Sequence, residues 1–165
     1  MNYQDTSRAV ARDEIASFLQ TATDTYKLIG IGVTDSGIAY NPQTTTEKWI
    51  VDKASRTSLD SYQRQRDITQ KCRIGDPVYD FVNEMRKSLA IGSDAETYVV
   101  DVDIYDADQS GKYFAQKSKV TIAIGNYATE TPPELEYTLY YNGDPEDGKA
   151  EISNGVLTYT ATTSV

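Results

Sequence analysis

The sequence predicts a mainly β (α+β) fold: an antiparallel β-sandwich or partial barrel with one packed α-helix, an N-terminal helix and a long extended arm. Three observations predict it. The second half of the chain runs in short stretches that alternate apolar and polar residues, the period of a strand with one buried face. Asn154-Gly155 joins two of them, AEIS and VLTYT, and is the dipeptide favoured by a type I′ hairpin turn. The strongest helical period in the chain follows a single signal, Asp76-Pro77.

The elements follow in order. Residues 7–20 read as a helix, with Ala11, Ile15, Phe18 and Leu19 on one stripe, Arg8, Arg12 and Asp13 elsewhere, and Ser7 or Asp5 placed to cap it. Thr21–Thr25 is polar, so residues 1–24 are expected to form an N-terminal helix and linker. The run TYKLIGIGV (25–33) predicts a strand, Asp35-Ser36-Gly37 a turn, and GIAYN its partner. Residues 41–58, NPQTTTEKWIVDKASRTS, show no clear element of their own, yet they hold the only tryptophan, Trp49. Long segments of this kind in a compact domain are usually functional. A large aromatic among charged residues is also the composition of a contact surface. The segment is therefore expected to be an arm that reaches a neighbour.

Residues 59–72 partly alternate, with Tyr62, Arg64, Arg66 and Ile68 on one parity. Asp76-Pro77 then supplies a capping residue and a proline at the first helical position. Val78, Phe81, Val82, Met85 and Leu89 keep the spacing of one helical face. Arg86 and Lys87 complement the dipole at the helix end, and Gly92 is expected to terminate it. In 98–105, Tyr98, Val100, Val102 and Ile104 face one way and Asp101 and Asp103 the other. Asp106–Gly111 reads as a turn. Val120, Ile122 and Ile124 alternate with Lys119 and Thr121. Leu135, Tyr137, Leu139 and Tyr141 alternate with Glu134, Glu136 and Thr138 before a turn at Asn142-Gly143.

Composition bounds the function. A chain of 165 residues is expected to form a single domain, 1–165, and to bury roughly 70% of its unfolded surface without a metal or disulfide staple. Cys72 is the only cysteine, so no intrachain disulfide is possible, and a buried, inert thiol is expected. The N-terminal residues show no secretory signal and no run is apolar enough for a membrane span, so no membrane partner and synthesis in a reducing cytoplasm are expected. The formal charge of −9 opposes binding of nucleic acid. The chain has no histidine, which removes the commonest general base and metal ligand together.

The remaining motifs have plain structural readings. Asp106-Ala-Asp108-Gln-Ser110-Gly111 imitates the start of a calcium loop, but Lys117 stands where the bidentate glutamate belongs. Gly30-Ile31-Gly32 lacks the third glycine and the βαβ setting of a dinucleotide site, and reads as a strand meeting a close neighbour. Neither a nucleophile elbow nor a Cys/His pair occurs, and Asp101 with Asp103 reads as a wet strand face. No cofactor, no metal and no enzymatic activity are expected. Arg64, Arg66, Lys71 and Arg73 form a basic patch. It reads as a solvated strand face or as half of an electrostatic contact with an acidic strand of a neighbouring copy. The thirteen tyrosines suit half-buried strands, contact surfaces or sugar platforms, so a carbohydrate-binding or adhesive β-sandwich is the alternative function.

The order of parts and three markers together resemble the major tail tube protein of long-tailed bacteriophages, of the type found in phages of Gram-positive hosts. The markers are Tyr40-Asn41-Pro42 with Glu47-Lys48, Gly75-Asp76-Pro77-Val78, and Tyr141-Asn142-Gly143-Asp144-Pro145. The resemblance covers nearly the whole chain. It implies a structural virion protein, made in the host bacterial cytoplasm, that assembles with itself into hexameric rings stacked into a tube. Tape measure, terminator and distal tail proteins are then its other partners, and DNA passes through without specific binding. It also implies that the 41–58 arm, through Asn41, Pro42, Glu47, Lys48, Trp49 and Ile50, contacts the adjoining subunit. Asp101, Asp103, Glu134 and Glu136 are the candidate lining of the channel, and Arg64 and Arg66 a candidate basic contact.

Overall fold

A computed structural model describes residues 7–162. The strands are β1 (Ile15–Ala22), β2 (Thr25–Leu28), β3 (Val33–Asp35), β4 (Ile38–Ala39), β5 (Pro42–Glu47), β6 (Arg56–Tyr62), β7 (Gln65–Lys71), β8 (Glu96–Ala107), β9 (Tyr113–Ala128), β10 (Glu134–Ser153) and β11 (Val156–Ala161). The α-helix α1 (Pro77–Ser88) is the only one among the described residues, and short 3-10 turns occupy Arg12–Glu14 and Gly92–Ala95. The fold is thus mainly β with a single packed helix, as the alternation predicts. Nine strands hydrogen-bond in the order β2-β1-β8-β9-β10-β7-β3, with β11 also on β10 and β4 also on β7, while β5 and β6 form a sheet of their own.

Two compact units can be described within the chain. Of the described residues, the first takes in 7–30, Tyr98–Ser118 and 144–162, and the second Ile31–Thr97 and Lys119–Gly143.

In the first unit the expected N-terminal helix is replaced by a strand. Only Arg12–Glu14 turn, tied by Arg8 to Glu14 at 2.8 Å, and residues 15–22 are β1. The part of that expectation on residues 1–6 lies outside the described residues. The reason is pairing on both edges. Phe18 sits opposite Leu28 of β2 and opposite Val100 of β8, and Ser17, Phe18 and Leu19 are buried in succession. A strand covered on both faces loses its alternation, and its apolar pair then imitates a helical stripe. The core joins Phe18, Tyr26, Val100, Val102, Ala115 and Leu157, with β11 returning against β2. The Lys117 ammonium lies 4.7 Å, 5.7 Å and 5.8 Å from the ring centres of Tyr98, Tyr26 and Tyr159, a cation–π contact shared by three rings. A Cβ on Gly148 would come within 2.6 Å of the Tyr159 ring, so glycine is required where that ring crosses the sheet. The Asn154-Gly155 hairpin forms as expected, with φ of 51° and 76° and Ser153 opposite Val156.

The second unit departs from expectation in its turns. β3 and β4 do not pair with each other; both lie on β7. The strand expected over 25–33 breaks after Leu28, and Gly32 adopts φ +77° in the intervening turn, where a Cβ would stand 3.1 Å from the Lys71 carbonyl. Asn142-Gly143 makes no turn, and β10 runs through it with Gly143 at φ +71°. α1 begins at Pro77 as predicted but ends at Ser88, because Leu89 itself takes the left-handed capping conformation at φ 50°. Leu89 is therefore exposed rather than part of the apolar face, which is led by Val78, Tyr79 and Val82. Arg86 lies 4.1 Å over the Tyr127 ring and fastens the far end of the helix. Cys72 is half-buried rather than buried.

A buried polar network anchors the start of α1. Gln70 is fully buried. Its amide donates to the Ile31 carbonyl at 3.1 Å and to the Asp76 carboxylate, and its oxygen accepts from the Tyr137 hydroxyl at 2.9 Å. Burial pushes the Asp76 carboxyl above its ordinary pKa; the Val78 and Tyr79 amides and Gln70 draw it back, and Asp80 raises it further. A carboxyl raised on folding adds stability that is complete below its unfolded pKa and lost as pH rises through the folded one. Asp76→Asn, which cannot ionise, should therefore gain on the wild type as pH rises from about 4 toward neutrality. Urea midpoints of both proteins across that range check the sign, and parallel pH profiles would refute it.

Candidate interaction surface

The segment expected to be an arm without structure is a β-hairpin. β5 and β6 pair in antiparallel register from Pro42 opposite Tyr62 to Glu47 opposite Arg56, with a bulge between Gln43 and Thr44. Three consecutive threonines favour a strand through their branched side chains. The Thr46 and Thr57 hydroxyls meet at 3.0 Å, and Thr45 donates to Asp60. At the base, Asn41 takes φ 43°, and its side-chain amide donates to the Gln63 carbonyl at 3.1 Å. Tyr40 and Tyr62 meet edge to face with centroids 5.9 Å apart. No buried face exists: all of Pro42–Glu47 and Arg56–Tyr62 are exposed.

The tip is ordered by its own charges. Arg56 lies 4.1 Å over the Trp49 ring and binds Asp52 through two contacts of 2.9 Å and 3.1 Å. The indole N–H points to Glu47 at 3.3 Å, and the Asp52 N–H donates to the Trp49 carbonyl at 3.0 Å. Trp49 remains 52% exposed, Val51 85% and Ile50 completely so. A tryptophan held in place beside two bare aliphatic residues is an apolar knob, the kind of surface that another macromolecule covers.

The other candidate residues divide between the units. In the first, Asp101 is half-buried and accepts the Ser17 hydroxyl at 2.6 Å. Asp103 is also half-buried; burial raises its pKa, the Tyr105 hydroxyl opposes that, and Asp101 and Asp106 add to it. In the second unit, Glu134 and Glu136 lie opposite Lys71 and Thr69 of β7, with Glu136 exposed. Glu134 and Glu136 stand on the polar side of β10, whereas Asp101 and Asp103 share their side of β8 with the fully buried Val99. In the basic patch, Lys71 and Arg73 are exposed, but the reading of a solvated face fails at Arg66. Arg66 is only 5% exposed, on the same face of β7 as Ile68 and Gln70, so it offers no solvated charge. Arg64 is half-buried and stacks 4.8 Å over Tyr141.

The loop that imitates a calcium site is a hairpin turn closed by its own aspartate. Asp108 accepts from the Ser110 N–H, the Ser110 hydroxyl and the Lys112 N–H at 2.7–3.0 Å, contacts that hold its carboxyl below the ordinary pKa, the Ser110 hydroxyl first. Among the described residues no group of three or more acidic or thiol side chains is placed to hold a metal, and no helix is long and apolar enough to cross a membrane. The buried Gln70 network and the Lys117 cage were not anticipated. The shared parity of Gln70 with Ile68 was the one available signal for the first.

These features define a class: an antiparallel β protein with one packed helix and an exposed, apolar-tipped hairpin. No protein-family model matches the chain, and no curated protein matches it. Among solved structures, its fold is similar to that of a chain in the tail of an empty GTA (gene transfer agent) particle, determined by helical refinement with C6 symmetry. The TM-score is 0.55 at 12% identity, over 93% of this chain and 100% of the other. At that identity the likeness is one of fold.

Proposed function

We propose that this chain is a structural subunit of a phage-type tail, assembling with copies of itself into hexameric rings that stack into a tube for DNA passage, with no catalytic role. The observation that carries the reading is the fold likeness, along nearly the whole chain, to a chain of a tail with C6 symmetry. The bare hairpin tip supports it, since a subunit surrounded by its own kind supplies the missing cover. The sequence resemblance adds the finer features: a long-tailed phage of a Gram-positive host, tape measure, terminator and distal tail proteins as partners, and a place in the virion tail. On this reading Asp101, Asp103, Glu134 and Glu136 line the channel and keep DNA from adhering, over about 8 Å at physiological salt.

Negative-stain electron microscopy of the purified protein at rising concentration tests the proposal. Six-fold rings or tubes are expected. A monomer at every concentration would refute it, and binding of that monomer to cell-wall glycan would favour the adhesive module instead.

A further inference from the structure

The hairpin tip carries positive charge on an acidic chain. Residues 48–56 hold Lys48, Lys53 and Arg56 against Asp52 alone, whereas the whole chain has a net charge of −9. Arg56 is engaged by Asp52. Lys48 and Lys53 have no hydrogen-bond or ion-pair partner among the described residues. They bracket Trp49, Ile50 and Val51, all exposed. An apolar knob between two uncompensated cations fits a surface that is acidic and accessible.

Such a surface exists on the chain itself. In the first unit, β10 presents Asp144, Glu146 and Asp147 within four residues, all exposed. Their hydrogen-bond donors are neutral: the Tyr159 hydroxyl reaches Glu146 at 3.1 Å and the Gln116 amide reaches Asp147 at 2.9 Å. The nearest lysine along the strand, Lys149, is directed at Asp108 at 3.9 Å. The negative charge of this segment is therefore solvated and oriented but not cancelled.

We propose that the hairpin tip docks on the acidic segment Asp144–Asp147 of a second copy of this chain, with Lys48 and Lys53 set against its carboxylates and Trp49–Val51 covered by the contact. The proposal rests on the self-association reading and specifies its contact. A second copy is the fitting partner because a polymer of identical chains places one basic tip and one acidic seat on every subunit. Exposed charges of this kind act mainly by steering and orienting the encounter, so the contact weakens with salt.

The test compares three proteins by sedimentation and electron microscopy: wild type, Lys48→Glu/Lys53→Glu, and that pair combined with Asp144→Lys/Glu146→Lys. Reversal at the tip should raise the concentration needed for assembly by about tenfold or more, and the combined protein should recover most of the loss. Wild-type assemblies treated with a carbodiimide should also yield peptides joining Lys48 or Lys53 to Asp144, Glu146 or Asp147. This readout does not depend on any variant folding. Wild-type rings with an indifferent tip, no recovery in a folded combined variant, or cross-links from the tip to other carboxylates alone would overturn the seat while leaving self-association intact. A wild type that never assembles would overturn both.

Discussion

Replacing Trp49 and Ile50 together by alanine should leave a folded monomer that no longer forms rings. The two side chains contribute little to the fold. Ile50 is bare and Trp49 is half-exposed, its main support being the Arg56 guanidinium. Removing an exposed cation–π pair of this kind costs roughly 0.5–1 kcal/mol. An aromatic anchor at the centre of a contact is worth about 2 kcal/mol or more, which is roughly a thirtyfold change in affinity at each contact. In the proposed ring every subunit would make that contact, so the losses would multiply. Deletion of residues 44–50 should act in the same direction more severely. Circular dichroism and thermal melting against sedimentation separate the outcomes. A variant that unfolds would show that the tip serves the monomer, and one that still polymerises would show that assembly uses another surface.

Gln70→Leu should be the most damaging conservative change in the second unit. Leucine nearly matches glutamine in size, so little space is opened. It leaves the Ile31 carbonyl, the Asp76 carboxylate and the Tyr137 hydroxyl without the partner that joins them. Unsatisfied buried groups cost roughly 1–3 kcal/mol each, more when charged, and relaxation with entering water offsets part of that. A net loss of about 3 kcal/mol, lowering the melting midpoint by roughly 10 °C, is expected. Tyr137→Phe removes a single hydrogen bond and should cost about a third as much. A Gln70→Leu protein that melts with the wild type would show that the network is incidental.

The fold was legible in the sequence in some parts and not in others, for physical reasons. α1 was legible because cap, proline and apolar spacing all lie within a few residues of one another. The first part of β10 was legible because one face is buried and the other is not, and β8 because its apolar run alternates with Asp101 and Asp103, although Val99 and Val100 are buried in succession. β1 reads as helix because both its edges are paired and Ser17, Phe18 and Leu19 are buried together, and one of those edges is supplied by β8, about eighty positions away. The hairpin was read as structureless for the opposite reason. Neither face of β5 or β6 is buried, so no alternation marks them, and only the threonine run hints at a strand. The contact role proposed for it rests on Trp49 and its charged neighbours. Arg66 shared a parity with Ile68, and that parity placed it on the correct face; its charge suggested water where the fold has an interior. Asn142-Gly143 has the composition of a turn, but a continuous strand absorbs it at one irregular glycine.

The brace formed by Arg56, Asp52 and Trp49 has a kinetic consequence. A limb whose aromatic is already immobilised loses little conformational freedom on meeting a partner, because that ordering was completed when the chain folded. Growth of an assembly from such subunits is then limited by the search for the right orientation and not by a rearrangement after contact. On the proposed reading, loosening the brace at Asp52 would turn a rigid tip into a flexible one, slowing addition without removing a single atom of the contact surface.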